Sequence, residues 1–235
     1  MASFDLSLAA LTAVSAIGWS LAGAARVARG QRQVALRGLL GGGAAFGVAV
    51  STYQLLSLGG LDPRWERVLG GGWPAVIATL SIGLVEEGAK LAGLLLVVRQ
   101  AWRPGQVMAM TIGVAAAFGA LETALSLAGG PPSAAIARAL LSPVAHAVLA
   151  APLGFAVAHA ARRGRRTALA VIPLALGVSA LLHAAGDLSL ASPRWGQVGY
   201  ASALLAPVLV VFLHARLAPA PMPLPSPTGT RDRRR

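Results

Sequence analysis

Seven stretches of mostly apolar residues follow one another along the chain, at approximately 4–25, 38–58, 74–98, 107–128, 134–160, 168–190 and 197–216. Each has about the 20 residues a helix needs to cross the hydrocarbon core of a bilayer. In lipid every backbone N–H and C=O must be paired within the protein, which leaves helices or closed barrels. No strand-like alternation and no internal repeat are found, so the predicted fold is all-α. It is a polytopic membrane bundle of about seven transmembrane helices. Composition agrees, with 12% charged residues and a mean hydropathy of +0.68, against about 25% charged in a soluble domain.

The net charge of +12 invites a nucleic-acid reading, but the positions of the charges argue for topology instead. Fifteen basic residues fall on one side of the predicted membrane. They are Arg26, Arg29, Arg32 and Arg37; Arg99 and Arg103; Arg162, Arg163, Arg165 and Arg166; and Arg216, Arg231, Arg233, Arg234 and Arg235. Only Arg64, Arg67 and Arg194 fall on the other. The positive-inside rule then predicts an outside N-terminus and a cytoplasmic C-terminus. The expected partner surface is the lipid bilayer, not nucleic acid, and the expected location is the cell membrane, as a multi-pass protein of a bacterial plasma membrane. Residues 1–216 read as one transmembrane domain. Residues 217–235, APAPMPLPSPTG followed by RDRRR, read as a disordered, proline-rich, basic cytoplasmic tail. The chain has no Cys, which removes disulfides, thiol nucleophiles and Cys-held metals.

Against this apolar background the third segment is anomalous. Its sequence SIGLVEEGAKLAGLLLVVR places Glu86, Glu87 and Lys90 at its centre. A charged residue at mid-bilayer costs about 2.5–3.5 kcal/mol on insertion scales, so an intramembrane cluster points to a functional site. Of the 20 basic residues 19 are Arg, and Lys90 is the single Lys. Other ionisable groups inside the apolar runs are Glu122, Arg138, His146, His159, His183 and Asp187, with His214 near the end of the seventh. Counting residues from the predicted outer ends puts Glu86 and His146 roughly 18 Å deep and Glu122 roughly 9 Å deep. His183 and Asp187 lie nearer the outer end. His159 and His214 lie at cytoplasmic ends and are set aside, and Arg138 reads as a side chain snorkelling to the outer interface. Glu86 with Lys90, Phe118 with Glu122, Ser142 with His146, and His183 with Asp187 are each spaced i, i+4, one above the other on a helix. Glu87 lies about 100° round from Glu86, so both face protein only if that helix is central.

Two carboxylates and two histidines gathered in a bundle suit water activation or metal binding. Histidines can also donate to the oxyanion of a tetrahedral intermediate. HExxH and GxSxG are absent. Ser142 with His146 shares one helix and has no obvious oxyanion loop, and Asp187 is the sole intramembrane Asp, so an aspartyl dyad is excluded.

EEGAK at 86–90, FGALE at 118–122, His146 and HAAGD at 183–187 fall on four successive segments. In that order they resemble the PrsW family of membrane proteases, within the wider group of glutamic-type intramembrane proteases that includes the CAAX prenyl-protein endopeptidases. The resemblance covers roughly residues 80–190. It implies that Glu86 is the base that activates the hydrolytic water, supported by Glu87 and Lys90. It implies that Glu122 helps hold that water, where the CAAX-type enzymes carry His. It sets His183 and Asp187 where those enzymes carry His and Asn as oxyanion donors. An ionised Asp only accepts, so Asp187 is expected to orient His183 or to stay protonated. With His146, these residues form the expected catalytic set. No cofactor or metal is expected, and the expected substrate is a membrane-anchored protein, anti-sigma-factor-like, cut near the outer face. Two alternatives stay open: a metal-dependent protease that uses Glu86, Glu122, His146 and His183 as ligands, and a non-catalytic scaffold, sensor or ion-coupled transporter.

Overall fold

A computed structural model describes residues 6–25, 30–61, 63–98, 103–126, 132–192, 196, 198–205 and 208. Every regular element among them is helical: α1 (Leu6–Ala25), α2 (Gln31–Leu58), α3 (Trp65–Leu69), α4 (Gly72–Val97), α5 (Pro104–Ser126), α6 (Pro132–Leu149), α7 (Ala151–Arg163) and α8 (Arg165–Leu190). Among the described residues, four stretches are long and apolar enough to cross a membrane: Gln31–Leu58, Pro104–Leu125, Arg138–Arg163 and Arg165–Leu190. The 26 residues of α4 reach about 39 Å, but that helix carries the three ionisable residues. The chain is therefore an all-helical, multi-pass membrane protein. The tail from residue 217, His214, Arg26, Arg29, Arg99, Arg194 and Arg216 lie outside the described residues.

Two details depart from the segments drawn on hydropathy. The loop after the second segment contains the short helix α3, whose Val68 packs with Ala78 and Ile82 of α4. The fifth segment, drawn as one run, is interrupted at Ala150, between α6 and α7. Pro152 sits at the start of α7 and has no N–H to give to the carbonyl four residues back, which breaks the ladder. Ala150 still donates to His146 O at 3.0 Å and Gly154 to Ala150 O at 3.1 Å, so the chain continues in nearly the same direction.

Small residues hold the bundle together. Most of the buried hydrophobic side chains are alanines, whereas large ones such as Leu36, Leu40, Leu55, Leu96, Leu169 and Leu174 are exposed. Lipid tails are as apolar as leucine, so burying leucine between helices gains little. Close backbone approach gains dispersion contact, and only small residues permit it. On α2, Gly41 faces Gly93 of α4, and a Cβ at Gly41 would lie 2.9 Å from the Gly93 carbonyl. On the same helix a Cβ at Gly38 would lie 2.9 Å from Gly113 Cα of α5. Gly43 and Gly47 meet nothing within 4 Å, so the close-approach face of GLLGGGAAFG is the i, i+3, i+4 stripe. On α4, Gly83 lies against Ala180 of α8, where a Cβ would come 2.5 Å from the Ala180 carbonyl. These contacts put α4 between α2 and α8 with α5 alongside, the central position that two adjacent buried carboxylates require.

Candidate active site

Each site residue is set by its helix. Glu86, Glu87 and Lys90 come from the middle of α4, and all three are buried. Phe118 and Glu122 come from α5, with Glu122 four residues before its end at Ser126. His146 comes from α6, and His183 and Asp187 from the last two turns of α8. The Gly83–Ala180 contact draws α8 onto α4 one turn from Glu87 and His183. Gly119, next to Phe118, makes room for the His146 ring: a Cβ there would lie 2.9 Å from His146 Cγ and closer still to Cδ2.

The centre of the cluster is Lys90. Its ammonium donates to Glu87 Oε1 at 2.7 Å and to His146 Nδ1 at 2.7 Å. It stands 3.8 Å from Glu86 Oε2 and 4.7 Å over the Phe118 ring, a cation–π contact. Phe118 is therefore both core and part of the ammonium's surroundings. An ammonium only donates, so Nδ1 of His146 accepts and its ring proton sits on Nε2. That nitrogen donates to Glu122 Oε2 at 2.8 Å. His183 is held the other way round, with Nδ1 donating to Glu87 Oε1 at 2.8 Å. Its Nε2 then faces Glu86 Oε2 at 3.6 Å and Asp187 Oδ2 at 3.7 Å. The two rings stand edge to face, 5.4 Å apart.

Two carboxylates thus orient two histidines: His183 turns its other nitrogen toward Glu86, and His146 turns its other nitrogen to Lys90, with Glu86 Oε2 further off at 3.9 Å. Glu86 Oε2 lies 3.6 Å from His183 Nε2 and 3.9 Å from His146 Nδ1, and it is buried with no hydrogen-bond partner. The carboxylates of the cluster differ in exposure. The Glu122 side chain is 35% exposed and that of Asp187 16%, against 7% for Glu86. The two more exposed members thus lie toward the C-terminal ends of α5 and α8.

Sequence reasoning named seven residues, Glu86, Glu87, Lys90, Glu122, His146, His183 and Asp187, and all seven lie in this one network. Asp187 joins it through His183, 3.7 Å away. His159 stacks on Phe155 in α7 and stays out of the network. The Ser142 hydroxyl donates to Gly119 O at 3.3 Å and makes no pair with His146. One residue was missed. Tyr53 of α2 donates from its hydroxyl to Glu86 Oε1 at 3.1 Å. The available signal was weak: it is one of two tyrosines in the chain, and it sits within an apolar run.

A model of the PrsW family, described as intramembrane metalloproteases, matches residues 31–214. The chain belongs to the PrsW family. No curated protein and no solved structure matches it. Membership implies a peptidase embedded in the membrane, acting on membrane proteins.

The family description names a metal, and this PrsW-family chain has donors that fit one. Glu86, His146 and His183 each offer a ligand atom, all within 4.8 Å of one another. One carboxylate with two imidazoles is a donor set of catalytic zinc sites. Glu122 and Glu87 behind the rings are the carboxylate–histidine partners that such ligands keep. The unpartnered Glu86 Oε2 is the orphan a bound ion would satisfy. The competing group is Lys90, from which an ion would have to take His146 Nδ1. Glu122 itself bonds the far nitrogen of His146, which makes it a supporting residue of that set and not a fourth ligand.

Proposed function

We propose that the chain is an intramembrane endopeptidase that cuts membrane-anchored proteins, anti-sigma-factor-like in topology, near the outer face of a bacterial plasma membrane, with Glu86 activating the water. One observation carries this reading: a buried carboxylate oxygen, Glu86 Oε2, faces two histidine nitrogens and has no hydrogen-bond partner of its own. A water there meets an acceptor that takes its proton as the oxygen attacks the scissile carbonyl. His183 in its imidazolium form donates Nε2–H to the oxyanion. Asp187, 3.7 Å from that nitrogen, orients the ring. As the tetrahedral intermediate collapses, the C–N bond breaks and Glu86 returns the proton to the leaving amine. Lys90 and Glu87 hold the charge balance and the ring positions while this occurs. Glu122 and Asp187, more exposed than Glu86, lie toward the helix ends that the arginine distribution assigns to the outside, which supports cleavage near that face.

A second reading is favoured by the donor set. Glu86, His146 and His183 would hold a divalent ion that supplies Lewis-acid activation, with Glu122 and Glu87 fixing the rings. Elemental analysis of the purified protein and its activity after chelation separate the two. One equivalent of metal, with activity lost on chelation and restored by that metal, selects the second reading. Metal-free, chelator-resistant activity selects the first.

The function is tested by comparing new protein N-termini in membranes of cells that make wild-type or Glu86→Gln protein at equal levels. Ectodomain fragments of single-pass proteins are expected with wild type alone, and they name the substrate. Identical lists, with both proteins folded and abundant, would sink the peptidase reading and leave the cluster a scaffold or relay.

A further inference from the structure

Glu86 has two oxygens with different surroundings. Oε2 faces His146 and His183 and has no hydrogen bond, with the Lys90 ammonium 3.8 Å away, while Oε1 accepts the Tyr53 hydroxyl at 3.1 Å. A carboxyl group rotates freely about its last bond, and its terminal torsion is broad. The Lys90 ammonium, 3.8 Å from Oε2, attracts that oxygen without a hydrogen bond to fix its direction, so a hydrogen bond to Oε1 is what sets the plane of the group. Tyr53 supplies that bond from a helix that carries none of the ordered motifs.

The ring is well placed to hold the hydroxyl still. Tyr53 is half-buried and packs against two apolar clusters at once, the main core and the Val68–Ala78–Ile82 group beneath α3. The Gly41–Gly93 contact fixes α2 against α4, and α3 is tied to α4 through Val68. Three elements therefore set the Tyr53-to-Glu86 distance. Hydrogen bonds to an ionised acceptor are the strong ones, and they orient as well as stabilise.

We propose that Tyr53 is a positioning residue for the peptidase site, holding Glu86 Oε1 so that Oε2 stays directed at His146 and His183. This rests on the peptidase reading above for its functional consequence, but not for the contact itself. It holds whether Oε2 meets a water or an ion.

The test uses the full chain in lipid nanodiscs and has two arms. In a Tyr200→Phe background Tyr53 is the sole tyrosine, since the chain has two. Ultraviolet resonance Raman of its phenol is expected to show a strong hydrogen-bond donor, weakened by Glu86→Gln. In the second arm a quenched-fluorescent peptide carries the cleavage site found by the N-terminus comparison. Tyr53→Phe is expected to lower kcat about 10- to 100-fold, the range for residues that orient a catalytic group, with KM within about twofold of wild type. A phenol signature indifferent to Glu86→Gln overturns the proposal. So does Tyr53→Phe with wild-type kcat, or with a raised KM at unchanged kcat. If Tyr53→Phe fails to fold, the Raman arm decides, because it keeps the tyrosine. If wild type cleaves no more than Glu86→Gln, the peptidase reading falls and takes the catalytic role of Tyr53 with it, while the Raman result still decides the contact.

Discussion

Replacing Lys90 with Met tests the electrostatic account of the bundle most directly. The substitution keeps the chain's length and apolar stem and removes the charge. Lys90 and Glu87 have side chains 1% and 0% exposed and meet at 2.7 Å. At an effective dielectric constant of about 20 that pair attracts by about 6 kcal/mol. Glu86, at 3.8 Å, adds about 4 kcal/mol on the same basis. Most of this offsets desolvation of the charges, so the sum is not the net effect. Removing one partner of a buried pair strands the other and costs about 3–5 kcal/mol. Here Glu87 would keep only His183. Unfolding of detergent-solubilised protein, followed by tryptophan fluorescence against denaturant, should show that loss for Lys90→Met. A Glu87→Gln/Lys90→Met double variant should lose clearly less than the sum of the single losses, because the stranded carboxylate is gone. A Lys90→Met stability within about 1 kcal/mol of wild type, well short of the loss expected for a stranded buried charge, or strict additivity in the cycle, would refute the claim that this charge is compensated and buried.

Other outcomes follow from the same geometry. Gly119→Ala should cost about 1–3 kcal/mol, as overpacking does, and should sharply reduce cleavage because the His146 ring must move. Gly88→Ala, where a Cβ meets nothing within 4 Å, should be as stable as wild type or more so in the same unfolding assay, although it lies inside the EEGAK run. Glu122→Ala should lower kcat about 10- to 100-fold, while Glu122→Gln should lose much less, because the Gln carbonyl still accepts from His146 Nε2. Equal losses for the two would contradict that assignment of the ring proton.

The helical class, the membrane setting and the seven ionisable residues were all readable from the chain because each is a local signal. Hydropathy over about twenty residues marks a helix in lipid whatever it packs against, and a charge within it is conspicuous by its cost. The i, i+4 spacings are enough to put Glu86 with Lys90, and His183 with Asp187, on shared helix faces. The interruption at Ala150 was hidden, because Pro152 in an apolar run looks like one more apolar residue. Tyr53 was hidden because its role depends on a contact between residues 33 apart on different helices.

What the sequence determined by itself was that this chain must be a bundle of helices in lipid with a costly polar interior. That follows from free energies each residue contributes where it stands. What only the tertiary structure decided was the pairing: which carboxylate holds which histidine, and which oxygen is left over. Glu87 serves both Lys90 and His183, Glu122 holds the far side of His146, and Tyr53 takes one oxygen of Glu86 and leaves the other facing the two rings. Those choices depend on how closely α2, α5 and α8 approach α4 and how closely α6 approaches α5. The approach is set by missing side chains at Gly41, Gly83, Gly93 and Gly119, and a glycine has this effect only where a partner helix meets it.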